Sequence, residues 1–168
     1  MRIMQRRLEL QQAADGVDDI IKRFQDEPTR FEEYCAGLFQ AYGYTATVTP
    51  PARDGGYDIF LERGGMTWIV ECKLYGRGHR VGRPVLQKLY GANSGIGADG
   101  MIVVTTSGYS ADALAYASDT GIETIDGDRL VDMCRAAWGT CRPQSILPAA
   151  MATLTRSELR SGYPADMR

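Results

Sequence analysis

The spacing of apolar positions changes several times along the chain, and each change marks an expected element. Residues 1–26 read as helix, with Ile20, Ile21 and Phe24 on one stripe and Ala14-Asp15-Gly16 as an interruption. This stretch is expected to be peripheral or to contact a partner. A second helix is expected from Thr29, an N-cap with Glu32 three residues on as the acid of a capping box. Phe31, Tyr34, Cys35, Leu38, Phe39 and Tyr42 form its apolar face, and Gly43 ends it. Thr45 to Thr49 is β-rich and closes at Pro50-Pro51. Tyr57 to Leu61 and Thr67 to Lys73 are strand-like and joined by Gly64-Gly65.

Beyond the hairpin the period lengthens again. Pro84 suits the first turn of a helix reaching about Asn93. Met101 to Thr106 is a continuous apolar run, as in a strand buried on both faces. Ser110 caps a short helix to Ala117, Gly121 to Ile125 is a short strand, and Asp126 or Asp128 caps a helix to Trp138. The order α-β-β-β-α-β-α-β-α predicts an α/β fold, with a mixed central sheet and helices on both faces. A domain over 28–140 is expected, flanked by a helical extension over 1–27 and a loosely attached tail over 141–168.

Composition narrows the function classes. The length of 168 residues suits one domain, and no apolar run is long enough to span a bilayer. Residues Met1 to Leu10 carry three arginines but lack the apolar stretch of a secretory signal. Cys35, Cys72, Cys134 and Cys141 include no CxxC pair, and His79 is the only histidine, which argues against a zinc site. Cys35 and Cys72 read as small buried hydrophobes, and a reducing cytoplasm is the expected compartment. The net charge of −2 conceals an asymmetry: Cys72 to Ala98 has no acid but carries Lys73, Arg77, Arg80, Arg83 and Lys88.

Candidate chemistry lies just before that basic segment. A Gly64-Gly65 hairpin places Arg63 opposite Met66, Leu61 opposite Trp68, Ile59 opposite Val70 and Asp58 opposite Glu71. Opposed Cβ atoms lie about 4.5–5.5 Å apart, and Lys73 shares the face of Glu71. Two facing carboxylates repel, and a bridging divalent cation relieves the repulsion. Hard oxygen donors from Asp58 and Glu71, with the backbone carbonyl of Cys72, suit Mg²⁺, or Mn²⁺ in its place. Such a cation polarises a phosphate and activates water, while Lys73 orients the water or stabilises charge on phosphorus.

Phe31-Glu32, Gly43-Tyr44, Asp54-Gly-Gly-Tyr-Asp58 and Ile69-Val-Glu-Cys-Lys73 resemble the Mrr-like restriction endonuclease catalytic domain of the PD-(D/E)xK nuclease superfamily. Val81-Gly-Arg-Pro, Leu89-Tyr-Gly-Ala92, Val104-Thr-Thr-Ser107-Gly-Tyr and Ile125-Asp-Gly127 continue the resemblance, which covers roughly 28–137. Archaeal Holliday-junction resolvases are more distantly similar. The resemblance implies a restriction-endonuclease-like three-layer sandwich and a metal-dependent endodeoxyribonuclease, with Asp58 and Glu71 on the metal and Lys73 assisting. Many members carry Gln where this chain has Glu71. Glu32 is either an auxiliary catalytic acid or only a capping acid. Gln87 either approaches the site or lies on the helix surface.

Arg77, His79, Arg80, Arg83 and Lys88 are candidate DNA contacts, gripping phosphates without reading sequence. Full Mrr-type enzymes carry a separate DNA-reading domain, for which 27 residues are too few. Specificity is therefore expected from a homodimer, from a partner protein, or from recognition of DNA structure such as nicks and branches. A fold of this type that binds DNA without cutting it is the remaining alternative.

Overall fold

The computed structural model describes residues 16–50 and 55–141. Five helices and five strands are seen: α1 (Val17–Phe24), α2 (Pro28–Ala41), β1 (Thr45–Val48), β2 (Ile59–Arg63), β3 (Met66–Lys73), α3 (Arg83–Ile96), β4 (Gly100–Thr105), α4 (Ala111–Thr120), β5 (Glu123–Ile125) and α5 (Gly127–Trp138). The strands form one sheet in the order β1-β2-β3-β4-β5. β1, β2 and β3 are antiparallel neighbours, whereas β3, β4 and β5 run parallel. The element order and the mixed sheet are those expected from the sequence. The proposed extension before Gly16 and the tail from 142 onward lie outside the described residues.

Alternation along β3 divides the core in two. Val70 and Cys72 face α1, α2 and α5, where Ile20, Phe31, Leu38 and Leu130 are buried with them. Ile69 faces α3 and α4, against Leu86, Leu89 and Ala113. Burying a large apolar side chain contributes about 1.5–3 kcal/mol relative to leaving it exposed, so each helix is held by the stripe it turns to the sheet. These are the three layers expected, with β4 between them: Met101 to Thr105 are all buried.

Three local expectations are corrected. α1 is not peripheral: Ile20 is fully buried and Phe24 lies in the cluster of Phe31 and Tyr34, with ring centroids 6.0 and 5.1 Å away. Its short apolar stripe understated a helix that covers the end of α2. Thr29 is not the N-cap of α2. The helix starts at Pro28 with Glu27 before it, and no side chain caps it. Proline at the first helical position sets the start by its fixed φ, so Glu32 is not a capping acid and its carboxyl is available elsewhere. α3 runs past Asn93 to Ile96 and stops at Gly97, which adopts φ +72°.

The end of β4 is fastened to both flanks. The Tyr109 hydroxyl donates to the carbonyl oxygens of Val103 and Ile125, at 2.7 and 3.0 Å. Gly127 N–H donates to Ser107 O at 2.9 Å. A Cβ on Gly127 would fall 2.3 Å from Thr106 O, so only glycine lets α5 begin this close to β4. No helix among the described residues is long and apolar enough to cross a membrane.

Candidate active site

The expected hairpin register holds, with Ile59 opposite Val70, Leu61 opposite Trp68 and Arg63 opposite Met66. Gly64 and Gly65 take φ +60° and +80°, the left-handed backbone that such a turn requires. Asp58 departs from the expectation. The ladder ends at Ile59, and Asp58 N–H also donates to Val70 O, at 2.8 Å. Two residues opposite one is the pattern of a β-bulge, which re-aims a side chain at the end of pairing. Asp58 is thus not the direct cross-strand partner of Glu71. Its Oδ2 instead accepts the Cys72 N–H at 2.8 Å, filling the place of the strand that has ended.

Three carboxyl groups and a lysine converge where β2 gives out. Glu71 is buried and ion-paired to Lys73, with Oε1 2.8 Å from Nζ. Glu32 reaches in from α2 beside the Asp58 side chain. Burial, with repulsion from Asp58 and Glu71, pushes its carboxyl up to about 7. Burial also raises Glu71 above the usual carboxylate range, against the pull of Lys73. For Lys73 burial opposes the charge, but the contact with Glu71 outweighs it and the ammonium is held above its ordinary value. The two partners differ: for Glu71 burial outweighs the pull of the lysine, whereas for Lys73 the short contact outweighs burial and keeps the ammonium charged.

Lys88 on α3 is close enough to Glu71 to favour its charged form. Gln87, its neighbour, is exposed on the same helix. Gly56, two residues before Asp58, lies against α3: at φ +82°, a Cβ there would fall 2.8 Å from Ala92 Cβ. The Cys72 side chain plays no part at the site. It points into the core, where contact with Cys35 and burial hold its thiol well above the ordinary range. Its backbone does take part. N–H and C=O of one strand residue share an edge, so the Cys72 carbonyl faces the edge occupied by Asp58.

The donor chemistry suits a hard divalent cation. Among the described residues no three Cys, His, Asp or Glu side chains form a ready-made cage. Asp58, Glu71 and the Cys72 carbonyl could offer oxygen atoms to such a cation, with water completing a shell of the kind Mg²⁺ accepts. Three acids against one paired lysine, one of them raised to about 7, mark a cluster short of positive charge.

The candidate DNA contacts separate into two groups. Arg77 makes a two-pronged pair with Asp18 of α1, at 2.7 and 3.0 Å. Arg83 pairs with Asp112 at 3.3 Å and lies 4.9 Å from the Tyr116 ring centre. These two are engaged within the molecule. Arg80 and Lys88 are exposed and form no ion pair among the described residues, and His79 stacks on Tyr75.

Sequence reasoning missed the residues that hold the end of β3. Thr105 Oγ1 donates to Lys73 O at 2.8 Å, and Thr106 Oγ1 both accepts from Tyr75 N and donates to Tyr75 O, at 2.9 and 2.7 Å. Both threonines are fully buried polar side chains. Their signals were a polar pair closing an apolar strand and a place in the Val104-Thr-Thr-Ser107 run, neither of which states a role.

Comparison with known proteins places this geometry. The restriction endonuclease family model for the Mrr catalytic domain matches residues 24–134. A type IV methyl-directed restriction enzyme of Escherichia coli strain K12, EcoKMrr, is 33% identical over 135 residues, covering 74% of this chain and 44% of the relative. The DNA modification-dependent restriction endonuclease AspBHI superposes with a TM-score of 0.64 at 25% identity, over 88% of this chain and 40% of that one. The MspJI restriction endonuclease, solved with a 27-mer oligonucleotide, has the same fold at a TM-score of 0.59 and 15% identity, over 86% of this chain and 38% of that one. The chain spans less than half the length of the curated relatives it matches.

Proposed function

We propose a function from one premise: the chain belongs to the restriction endonuclease family, of the Mrr catalytic type. It is a nuclease domain, and the reading is a Mg²⁺-dependent endodeoxyribonuclease that hydrolyses phosphodiester bonds, with Mn²⁺ able to substitute. The observation that carries it is the convergence of Asp58, Glu71 and the Lys73 ammonium at the end of β2, with Glu32 beside Asp58.

Asp58 and Glu71, with the Cys72 carbonyl, would hold the cation. A divalent ion in this position neutralises phosphate charge and lowers the pKa of bound water. Lys73, kept charged by Glu71, faces the developing charge on phosphorus and orients the attacking water. Glu32, its carboxyl at about 7, would ionise more readily beside a bound cation, releasing its proton to water, and would then support Asp58 as a second acid. Lys88 and Arg80 grip phosphates on either side. A homodimer brings two such sites to the two strands.

The test uses purified protein with unmethylated plasmid, methylated plasmid and a four-way junction, each with Mg²⁺, Mn²⁺ or EDTA. Methylated plasmid is included because two relatives are named for dependence on modified DNA. Nicking or linearisation that requires the cation and disappears in Glu71→Ala and Lys73→Met is expected. Cleavage that survives in EDTA, or in both variants, refutes the assignment.

A further inference from the structure

The segment after β3 carries a feature that phosphate gripping does not use. Tyr75 follows Lys73 by two residues, and its ring packs against the core beneath α3 and α4. The His79 imidazole lies over it, with ring centres 4.2 Å apart and planes 15° from parallel. His79 is exposed, so the outer face of the stack is open to solvent.

The stack is held in place from several directions. Thr106 fixes both backbone groups of Tyr75. His79 N–H closes a turn onto Gly76 O at 2.9 Å. Two residues later Val81 N–H donates to Gly108 O at 2.8 Å, and Val81 O accepts from Ser110 N at 3.0 Å. Gly76 and Gly78 have no atom within 4 Å of where a Cβ would stand, so a ligand can approach this backbone closely.

A rigid, exposed aromatic stack beside a phosphate-handling lysine matches what nucleic-acid proteins use to hold an unpaired base. A paired base in a duplex offers its edges to a protein, not its face. We infer that the His79–Tyr75 stack is a platform for one unstacked DNA base next to the scissile phosphate. The inference rests on the nuclease reading and deepens it: the favoured substrate class is DNA with an unpaired nucleotide at the cutting position, such as a bulge, a gap or a branch.

The experiment compares a fully paired DNA duplex with one carrying a single-nucleotide bulge. Both contain 2-aminopurine at the position that is extrahelical in the bulge, and both are titrated with the whole chain in EDTA and in Ca²⁺. Cleavage is measured in parallel with Mg²⁺. Wild type is expected to bind the bulged duplex about tenfold more tightly, with quenching of the fluorescent base. His79→Ala loses both effects. His79→Phe keeps them because the ring remains, and His79→Lys loses them although it adds positive charge. Tyr75→Phe keeps them as well, and thermal melting confirms that each variant folds.

Equal affinity and quenching for the two duplexes overturns the platform. So does a preference retained by His79→Lys and lost in His79→Phe, which identifies a phosphate contact instead. The two readings fail separately. Cleavage of both duplexes without discrimination refutes the platform alone. Discrimination in binding with no cleavage of any DNA refutes the nuclease reading and leaves the platform standing.

Discussion

Replacing Glu32 by glutamine tests the electrostatics of the site without removing a proposed metal ligand. In the folded protein the Glu32 carboxyl sits at about 7, against 4.5 for an ordinary glutamate. The folded state therefore holds this proton over a window in which the unfolded chain has released it. Stability falls as pH rises wherever the folded state binds more protons. The contribution is fully present below about 4.5 and is lost as pH rises through about 7. At full weight that gap corresponds to about 3 kcal/mol. Glu32 is only part-buried, and solvent screening reduces the expected effect to about 1–2 kcal/mol. Glutamine keeps the shape and hydrogen-bonding capacity but cannot ionise.

The assay is urea unfolding of both proteins at intervals from pH 5 to pH 8 in EDTA. Subtracting the two curves removes titrations common to both. Glu32→Gln should gain about 1–2 kcal/mol on wild type across the window, a relative midpoint shift of about 0.5–1 M urea. Adding Mg²⁺ at pH 8 should raise wild type more than the variant, because an ionised Glu32 beside Asp58 leaves more negative charge to neutralise. A flat difference curve refutes the argument, since it would mean that Glu32 ionises in the folded chain as it does in the unfolded one.

Other perturbations probe the supports of the site. Lys73→Met leaves the buried Glu71 carboxylate without its 2.8 Å partner and should cost about 1–3 kcal/mol at pH 8. The loss should shrink as pH falls and the raised Glu71 carboxyl protonates, and a pH-independent loss in chemical denaturation would contradict this. Gly56→Ala meets both the φ of +82° and the Ala92 Cβ. It should lower cleavage rate more than DNA affinity, with only partial rescue by Ala92→Gly; full rescue would show that backbone strain is unimportant. Tyr109→Phe leaves two buried carbonyls short of a donor and should cost about 1–3 kcal/mol by thermal or urea melting. Arg80→Ala should weaken DNA binding and flatten its salt dependence by about one phosphate contact. Arg77→Ala, already paired to Asp18, should change the salt slope much less.

The parts legible in the sequence are those where local chemistry leaves one solution. Gly64-Gly65 between alternating strands fixes a two-residue hairpin, and the hairpin fixes the register from Arg63–Met66 to Ile59–Val70. Glu71 and Lys73 share a face by the two-residue period of a strand, and they meet at 2.8 Å. Asp58 was placed in the right neighbourhood but in the wrong relation. A bulge depends on where pairing with a third strand ends, here the Thr49 N–H to Asp58 O bond at 2.8 Å, and no spacing within the hairpin encodes it. Glu32 offered two roles because Thr29 suits an N-cap while the family resemblance implies an auxiliary acid, and the start at Pro28 removes the capping role. The basic segment misled in another way. Five cations in sequence do not make five free cations when Asp18 and Asp112 lie across from Arg77 and Arg83 in space.

The same distinction explains why the later motifs carried no assignable role until the fold was known. Thr105 and Thr106 lie more than thirty residues after Lys73 and Tyr75, yet they hold the backbone that carries both. Gly127 lies further on, and its lack of a side chain lets α5 start against Thr106 O. Catalysis needs its groups held to a fraction of an ångström, while Lys73 stands at the last residue of β3, where a strand would otherwise fray. The C-terminal half of the domain supplies that rigidity through two buried threonines and one glycine. A substitution at Gly127 should therefore disturb Lys73 and Tyr75 although it touches neither, and measuring cleavage of paired and bulged DNA by Gly127→Ala checks this directly. If its melting temperature falls while both activities per folded molecule stay unchanged, the link from α5 to the site is structural only.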